Sequence, residues 1–197
     1  MIENQKHKAP RVHLRENVQK VLAAITYVIA KAEARNTRVS QYDILKTIFL
    51  ADKAHLNEYG RPVTFDNYVA MRAGPVASLS YDFLKENEAK LRKHHIPTTP
   101  WDRESGPSGR YYYSKANLIP YEGVLSESDK NALSNAWNVV KSLTFGQIKR
   151  LTHNDPAYIE AWEQDKNRGS FKMSYGMLFD SPDFEQAEAV EYLSKHM

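Results

Sequence analysis

The sequence predicts a mostly α, α+β domain: about six helices around one core, with a small two- or three-stranded antiparallel sheet. Three observations carry that expectation. Apolar residues recur at helical spacing over several long stretches. Serine caps stand ahead of two of those stretches, with Asp three residues on. Strand-forming composition is confined to two short segments, around residues 63–71 and 110–114.

Residues 1–10 are polar and end in Pro10, so an unordered arm is expected there, with residues 11–197 as a single domain. From Val12 to about Ala34, the residues Leu14, Val18, Val21, Leu22, Ile25, Val28, Ile29 and Ala32 share one helical stripe. Ser40 and Asp43 form a capping box, with Asp in place of the usual Glu, ahead of a helix bearing Ile44, Leu45, Ile48, Phe49 and Leu56. That helix should stop at Tyr59, because Gly60 can turn left-handed and Pro62 prevents the helix from resuming.

Asp66-Asn67 is a turn pair between Val63-Thr64-Phe65 and Tyr68-Val69-Ala70-Met71, which predicts a hairpin. Gly74 and Pro75 read as the cap and first residue of a helix that carries Leu79, Phe83 and Leu84 and runs to Lys93. His94 to Gly109, with Pro97, Pro100, Gly106 and Pro107, reads as a long surface loop. Arg110-Tyr111-Tyr112-Tyr113-Ser114 is a strand by composition, expected to pair with the 63–72 ribbon.

Ser126 and Asp129 open a helix bearing Leu133, Trp137, Val140 and Leu143. Thr144 opens the next, through Ile148 and Leu151 to His153. Asp155 caps a further helical stretch that starts at Pro156 and includes Ile159 and Trp162. A weaker pattern then leads to a short helix from Asp183 to Lys195.

Composition narrows the function classes. A chain of 197 residues buries roughly 70% of its unfolded surface and supports a core without staples. It has no cysteine, which excludes disulfides and thiolate metal sites and fits a reducing cytoplasm. No stretch approaches the ~20 apolar residues of a membrane span, and no apolar run follows the N-terminal residues as in a signal peptide. Residues 1–39 carry eight Lys or Arg against three Glu, and residues 180–197 carry five Asp or Glu against one Lys. Such an asymmetry can steer a polyanion, although solvated helix faces plus a loose N-terminal arm are the simpler explanation.

Catalytic patterns are weak. Asp52 and His55 project from one helix face and could orient a base or supply two metal ligands, but a third ligand, His153 or Asp155, comes from a distant segment. An ion pair from Asp52 to Arg61 or Arg72, with His55 hydrogen-bonded beside it, is the simpler reading. His94-His95 is a helix end rather than a metal pair, since adjacent residues on a helix point about 100° apart. Gly106-Pro107-Ser108-Gly109 lacks the Lys-Ser/Thr ending of a phosphate loop, and no serine stands in a G-x-S-x-G elbow. Neither an enzyme activity, a metal nor a cofactor is therefore expected. The twelve tyrosines are more informative. Several fall near the ribbon among Arg61, Arg72 and Arg110, and Tyr and Arg are the residues enriched at protein–protein hot spots.

Two phrases resemble a known family. Ala51-Asp52-Lys53-Ala54-His55-Leu56, Tyr59-Gly60-Arg61-Pro62-Val63, Tyr68-Val69-Ala70-Met71 and Gly74-Pro75-Val76 resemble the core motif of the Panacea domain, found in SocA-like antitoxins of prokaryotic and phage toxin–antitoxin loci. Leu151-Thr152-His153-Asn154-Asp155-Pro156-Ala157, followed by Ala161-Trp162, resembles that family's later segment. The resemblance spans about residues 17–165, with Lys53 where Arg is usual and Tyr158 intervening before Trp162. It implies a cytoplasmic antitoxin that binds a co-encoded toxin and covers its active site or substrate channel, in a complex of toxin and antitoxin. A phage-defence setting and delivery of the toxin to a protease fit the same resemblance. The expected anchors are Tyr68, Arg72, Tyr81, Tyr111 and Tyr112. Two alternatives stay open: nucleic-acid binding through Arg11, Arg15, Lys20, Lys31, Arg35 and Arg38, and an enzyme using Asp52, His55 and His153.

Overall fold

The computed structural model describes residues 8–163 and 168–197. Among them are eight helices: α1 (Val18–Glu33), α2 (Gln41–Tyr59), α3 (Ser78–Leu84), α4 (Glu88–Lys93), α5 (Glu127–Ser142), α6 (Phe145–His153), α7 (Pro156–Ala161) and α8 (Phe184–Lys195). Six short strands accompany them: β1 (Val39–Ser40), β2 (Tyr68–Met71), β3 (Gly74–Ala77), β4 (Asp102–Ser105), β5 (Tyr111–Ser114) and β6 (Ser170–Lys172). The α+β class is as expected, but helices exceed six and there are two three-stranded antiparallel sheets rather than one, ordered β1-β5-β4 and β3-β2-β6.

Helices α1, α2 and α5 pack together at the centre, where Ile25, Ile29, Ile48, Phe49, Leu133 and Trp137 are fully or almost fully buried. Both capping boxes form: Ser40 and Asp43 at α2, Ser126 and Asp129 at α5. Gly60 closes α2 with φ of 71°, in the left-handed conformation that only glycine adopts without strain. Thr144 caps α6, Asp155 caps α7 and Asp183 caps α8.

Several expectations are corrected. Helix α1 starts at Val18 under an Asn17 cap, not near Val12, and residues 8–17 form no helix. Of the arm expected to be unordered, residues 1–7 lie outside the described residues. Residues 8–10 are tied down: Lys8 pairs with Glu163, the Ala9 amide donates to Glu160 and Pro10 accepts from Ser174. The hairpin is β2–β3, turning at Arg72-Ala73, and Val63–Phe65 is not a strand. Gly74-Pro75 opens a strand instead of a helix. Pro75 is tolerated because β3 is an edge. The helix expected to reach Lys93 breaks at Glu86, whose φ is 56°, and restarts as α4 under Asn87. The presumed loop 94–109 contains β4, and β5 pairs with β1 and β4 rather than with the ribbon. None of the described helices is long and apolar enough to cross a membrane.

Candidate functional site

The motif residues build a buried polar frame around the end of α2. Asp52, 2% exposed, does not pair with an arginine. Its Oδ1 accepts from the amides of Val63 and Thr64, both at 2.9 Å, and its Oδ2 from the hydroxyls of Thr64 (2.5 Å) and Tyr68 (2.9 Å). The carboxylate thus pins the chain after Pro62 to the helix through four neutral donors. Asp66 repeats the device one step on, accepting from the amides of Leu79 and Ser80 and from the Ser80 hydroxyl, and so caps α3 from outside its own segment. Burial raises the Asp52 carboxyl to about 6 and that of Asp66 to about 7, against the pull of those donors.

His55 is fully buried, and both its ring nitrogens are engaged by partners other than Asp52. Its Nδ1 lies 2.8 Å from the Arg61 carbonyl, which fixes the proton on Nδ1, and its Nε2 accepts from the Ser128 hydroxyl at 3.0 Å. Burial lowers its pKa, which keeps the ring neutral. Beside it lies Asp129, which accepts from Lys20 (2.5 Å), Arg61 (3.0 Å) and the Ser126 amide (2.9 Å). Arg61, the expected partner of Asp52, is therefore taken by Asp129, and Arg72 stands exposed in the β2–β3 turn.

The second phrase meets the first at Gly74, whose φ is 106°. A Cβ there would lie 2.8 Å from both Lys46 Nζ and Thr152 Oγ1 and 3.4 Å from the His153 ring. Lys46, 1% exposed, donates to the Pro75 carbonyl at 2.6 Å, and Tyr158 donates to the Met71 carbonyl at 3.0 Å. His153 and Trp162 flank the Tyr158 ring, at 4.4 and 5.9 Å between centroids. Gly60, Pro62, Gly74, Pro75, Val76, Pro156 and Trp162 thus serve the architecture of the hairpin and its helical supports. Asp52, His55 and His153 do not converge on one point. Sequence reasoning did not single out Lys46 and read Asp66 only as a turn residue. Asp129 could be read only as a cap, since its other partners lie 68 and 109 residues away.

These geometries separate the two buried carboxylates. In Asp52→Asn the new amide can face Thr64 and Tyr68, whose hydroxyls can rotate to accept, so the contacts keep a hydrogen bond and only the two hydroxyl protons must turn away from residue 52. In Asp66→Asn each oxygen position meets a backbone N–H that cannot accept, so one bond is forfeited in either orientation. Asp66→Asn is expected to cost about 2 kcal/mol more than Asp52→Asn in urea unfolding at neutral pH. Equal losses would refute this account of the frame.

The expected anchors do not form one patch. Tyr68 is 3% exposed and belongs to the core, because its hydroxyl is spent on Asp52. Tyr81 is half-buried on α3 under Lys85, and Arg72 lies apart on the hairpin. Tyr111 and Tyr112 do come together, on the wall of a groove of about 530 Å³ between the β1–β5 pair and the α5–α6 junction. Arg38 lies 3.9 Å from the Tyr112 ring centroid and Arg103 3.7 Å from that of Tyr111, both at cation–π distance. Arg110, Tyr42, Lys141 and Phe145 complete the rim and floor.

Cations proposed for nucleic acid are largely engaged within the molecule: Arg11 with Glu160, Lys20 with Asp129 and Arg35 with Asn138. No curated protein and no solved structure matches the chain. A family model, antitoxin SocA-like, Panacea domain, matches residues 44–159, from the first core residue of α2 to α7. The frame just described, from Lys46 and Asp52 through the hairpin to Asp129, Thr152 and Tyr158, lies inside that match, and the chain belongs to the SocA-like antitoxin family with a Panacea domain.

Proposed function

We propose that this protein is a cytoplasmic antitoxin that neutralises a co-encoded toxin by direct protein–protein binding, without turning over a substrate. Family membership is the observation that carries the reading. The chemistry of the motif residues supports it. Asp52, Asp66, Asp129 and His55 are consumed by internal hydrogen bonds, and each serves to hold a loop or a helix end. What faces outward is an aromatic and guanidinium surface around β5. Tyr and Arg suit a protein interface because both bury large area and keep polar handles.

The test is co-expression of the protein encoded by the neighbouring reading frame, with and without this chain. Growth should stop without it and recover with it, the two proteins should co-purify, and the level of the toxin should be unchanged. Rescue accompanied by disappearance of the toxin would indicate delivery to a protease instead. No rescue overturns the antitoxin reading. Asp52→Asn, with its fold verified by an unfolding curve, should rescue like the unsubstituted chain, whereas a catalytic Asp52 requires rescue to be lost.

A further inference from the structure

We infer that the groove between β5 and the α5–α6 junction takes an acidic, otherwise apolar segment of a protein partner, with its carboxylates received by Arg38 and Arg110; this rests on the antitoxin reading and names the chemistry of the contact. Three cations line the groove (Arg38, Arg110, Lys141) against one carboxylate, Asp43. That carboxylate is occupied: Asp43 accepts from the Ser40 amide at 3.0 Å and lies 3.7 Å from Lys141. Lys141 also reaches the Arg38 carbonyl, so it too is engaged. Arg38 and Arg110 are exposed, and among the described residues neither has a carboxylate within ion-pair reach.

Gln41 and Tyr42 also line the groove, although the Gln41 amide nitrogen and the Tyr42 hydroxyl are themselves closed to solvent. The exposed groups left unpaired at the groove, the Arg38 and Arg110 guanidinium groups, are donors and positive, so its complement is rich in acceptors and negative. The floor, from Val140, Leu143, Phe145 and Ile148, is apolar and calls for aliphatic or aromatic side chains between the carboxylates.

A nucleic acid fits less well. The Tyr112 and Tyr111 rings already carry guanidinium groups at 3.9 and 3.7 Å, and the Tyr42 ring packs against Phe145 at 4.7 Å. None of these is an open platform for a base. An apolar floor also offers nothing to a phosphate.

The probe is a fluorescein-labelled peptide alternating Glu with Leu, titrated with the purified chain at about 0.15 M ionic strength. Its Gln counterpart and a single-stranded oligothymidylate are run in parallel. The Glu peptide should bind saturably, the Gln peptide about tenfold more weakly, and an Arg38→Glu/Arg110→Glu double variant should lose about tenfold toward the Glu peptide. Both substitutions are at exposed positions, and unchanged unfolding curves verify the fold. Equal binding of the Gln peptide, tighter binding of the oligothymidylate, or an unaffected double variant each overturns the inference. Because the titration contains no toxin, it is independent of the antitoxin reading. Failed rescue with intact peptide binding removes that reading alone. Rescue by a double variant that has lost the peptide shows that the toxin does not use this groove.

Discussion

Gly74→Ala should lower the unfolding free energy by about 2–5 kcal/mol and the melting temperature by on the order of 10 °C. Two independent effects combine. The φ of 106° lies where L side chains are strained, and the added carbon would stand 2.8 Å from Lys46 Nζ and Thr152 Oγ1. Lys46 cannot simply swing away, since its ammonium is tied to the Pro75 carbonyl inside the core. Two controls separate the contributions. Gly109→Ala, at φ of 70° with nothing near the new carbon, reports the conformational strain alone. Gly146→Ala, on α6 in open space without positive φ, should be neutral or slightly stabilising. If Gly74→Ala loses no more than Gly109→Ala, the close approach of the hairpin to Lys46 and Thr152 is not what requires glycine.

Local signals were legible in the sequence and long-range pairings were not. Helix α2 was readable at both ends, because the Ser40–Asp43 box and Gly60 act over three or four residues. The same holds for Ser126–Asp129, Thr144 and the Asp155-Pro156 pair. Val63–Phe65 has the composition of a strand, yet the amides of Val63 and Thr64 that a ladder would use are taken by Asp52, and Phe65 has φ of 56°. Gly74-Pro75 carries the grammar of a helix start, but a strand results, because β2 supplies an antiparallel partner and the edge position excuses the missing N–H. Strand β5 was identifiable from its three tyrosines, whereas its pairing with the two-residue β1 depends on where α1 ends. The groove shows the same division. Tyr111 and Tyr112 were visible as candidates by composition, while Arg38, Lys141 and Phe145 come from segments far apart in the chain. Tyr68 misled because an aromatic in a motif reads equally well as an anchor or as core, and only the buried Asp52 beneath it decides.

Asp129→Ala should be the most damaging change to the frame, costing about 3–5 kcal/mol. Its carboxylate is wholly buried and holds Lys20, Arg61 and the start of α5 at once, so removal leaves two cations without their counter-charge. The pH dependence has a definite sign. Burial works to raise the Asp129 carboxyl, but Lys20, the Ser126 amide and Arg61 outweigh it, and the group sits below its ordinary range. A carboxyl depressed in the fold contributes fully above its unfolded value of about 4, and that contribution is lost as pH falls through the folded value. Asp52 and Asp66 act in the opposite sense. Raised to about 6 and about 7, they take up protons in the fold that the unfolded chain has released, so their contribution is present at acid pH and fades as pH rises toward 7. For these three carboxyls alone the two trends cross near the unfolded value of about 4, while His55, whose pKa burial lowers, works against the decline toward neutral pH. Urea unfolding from acid to neutral pH should show the gap between the unsubstituted protein and Asp129→Ala narrowing as pH falls below about 4 and constant from about pH 5 to neutral. A gap that stays constant through the acid range would mean that Lys20 and Arg61 do not depend on the charge of Asp129. A capping role alone would then account for the residue.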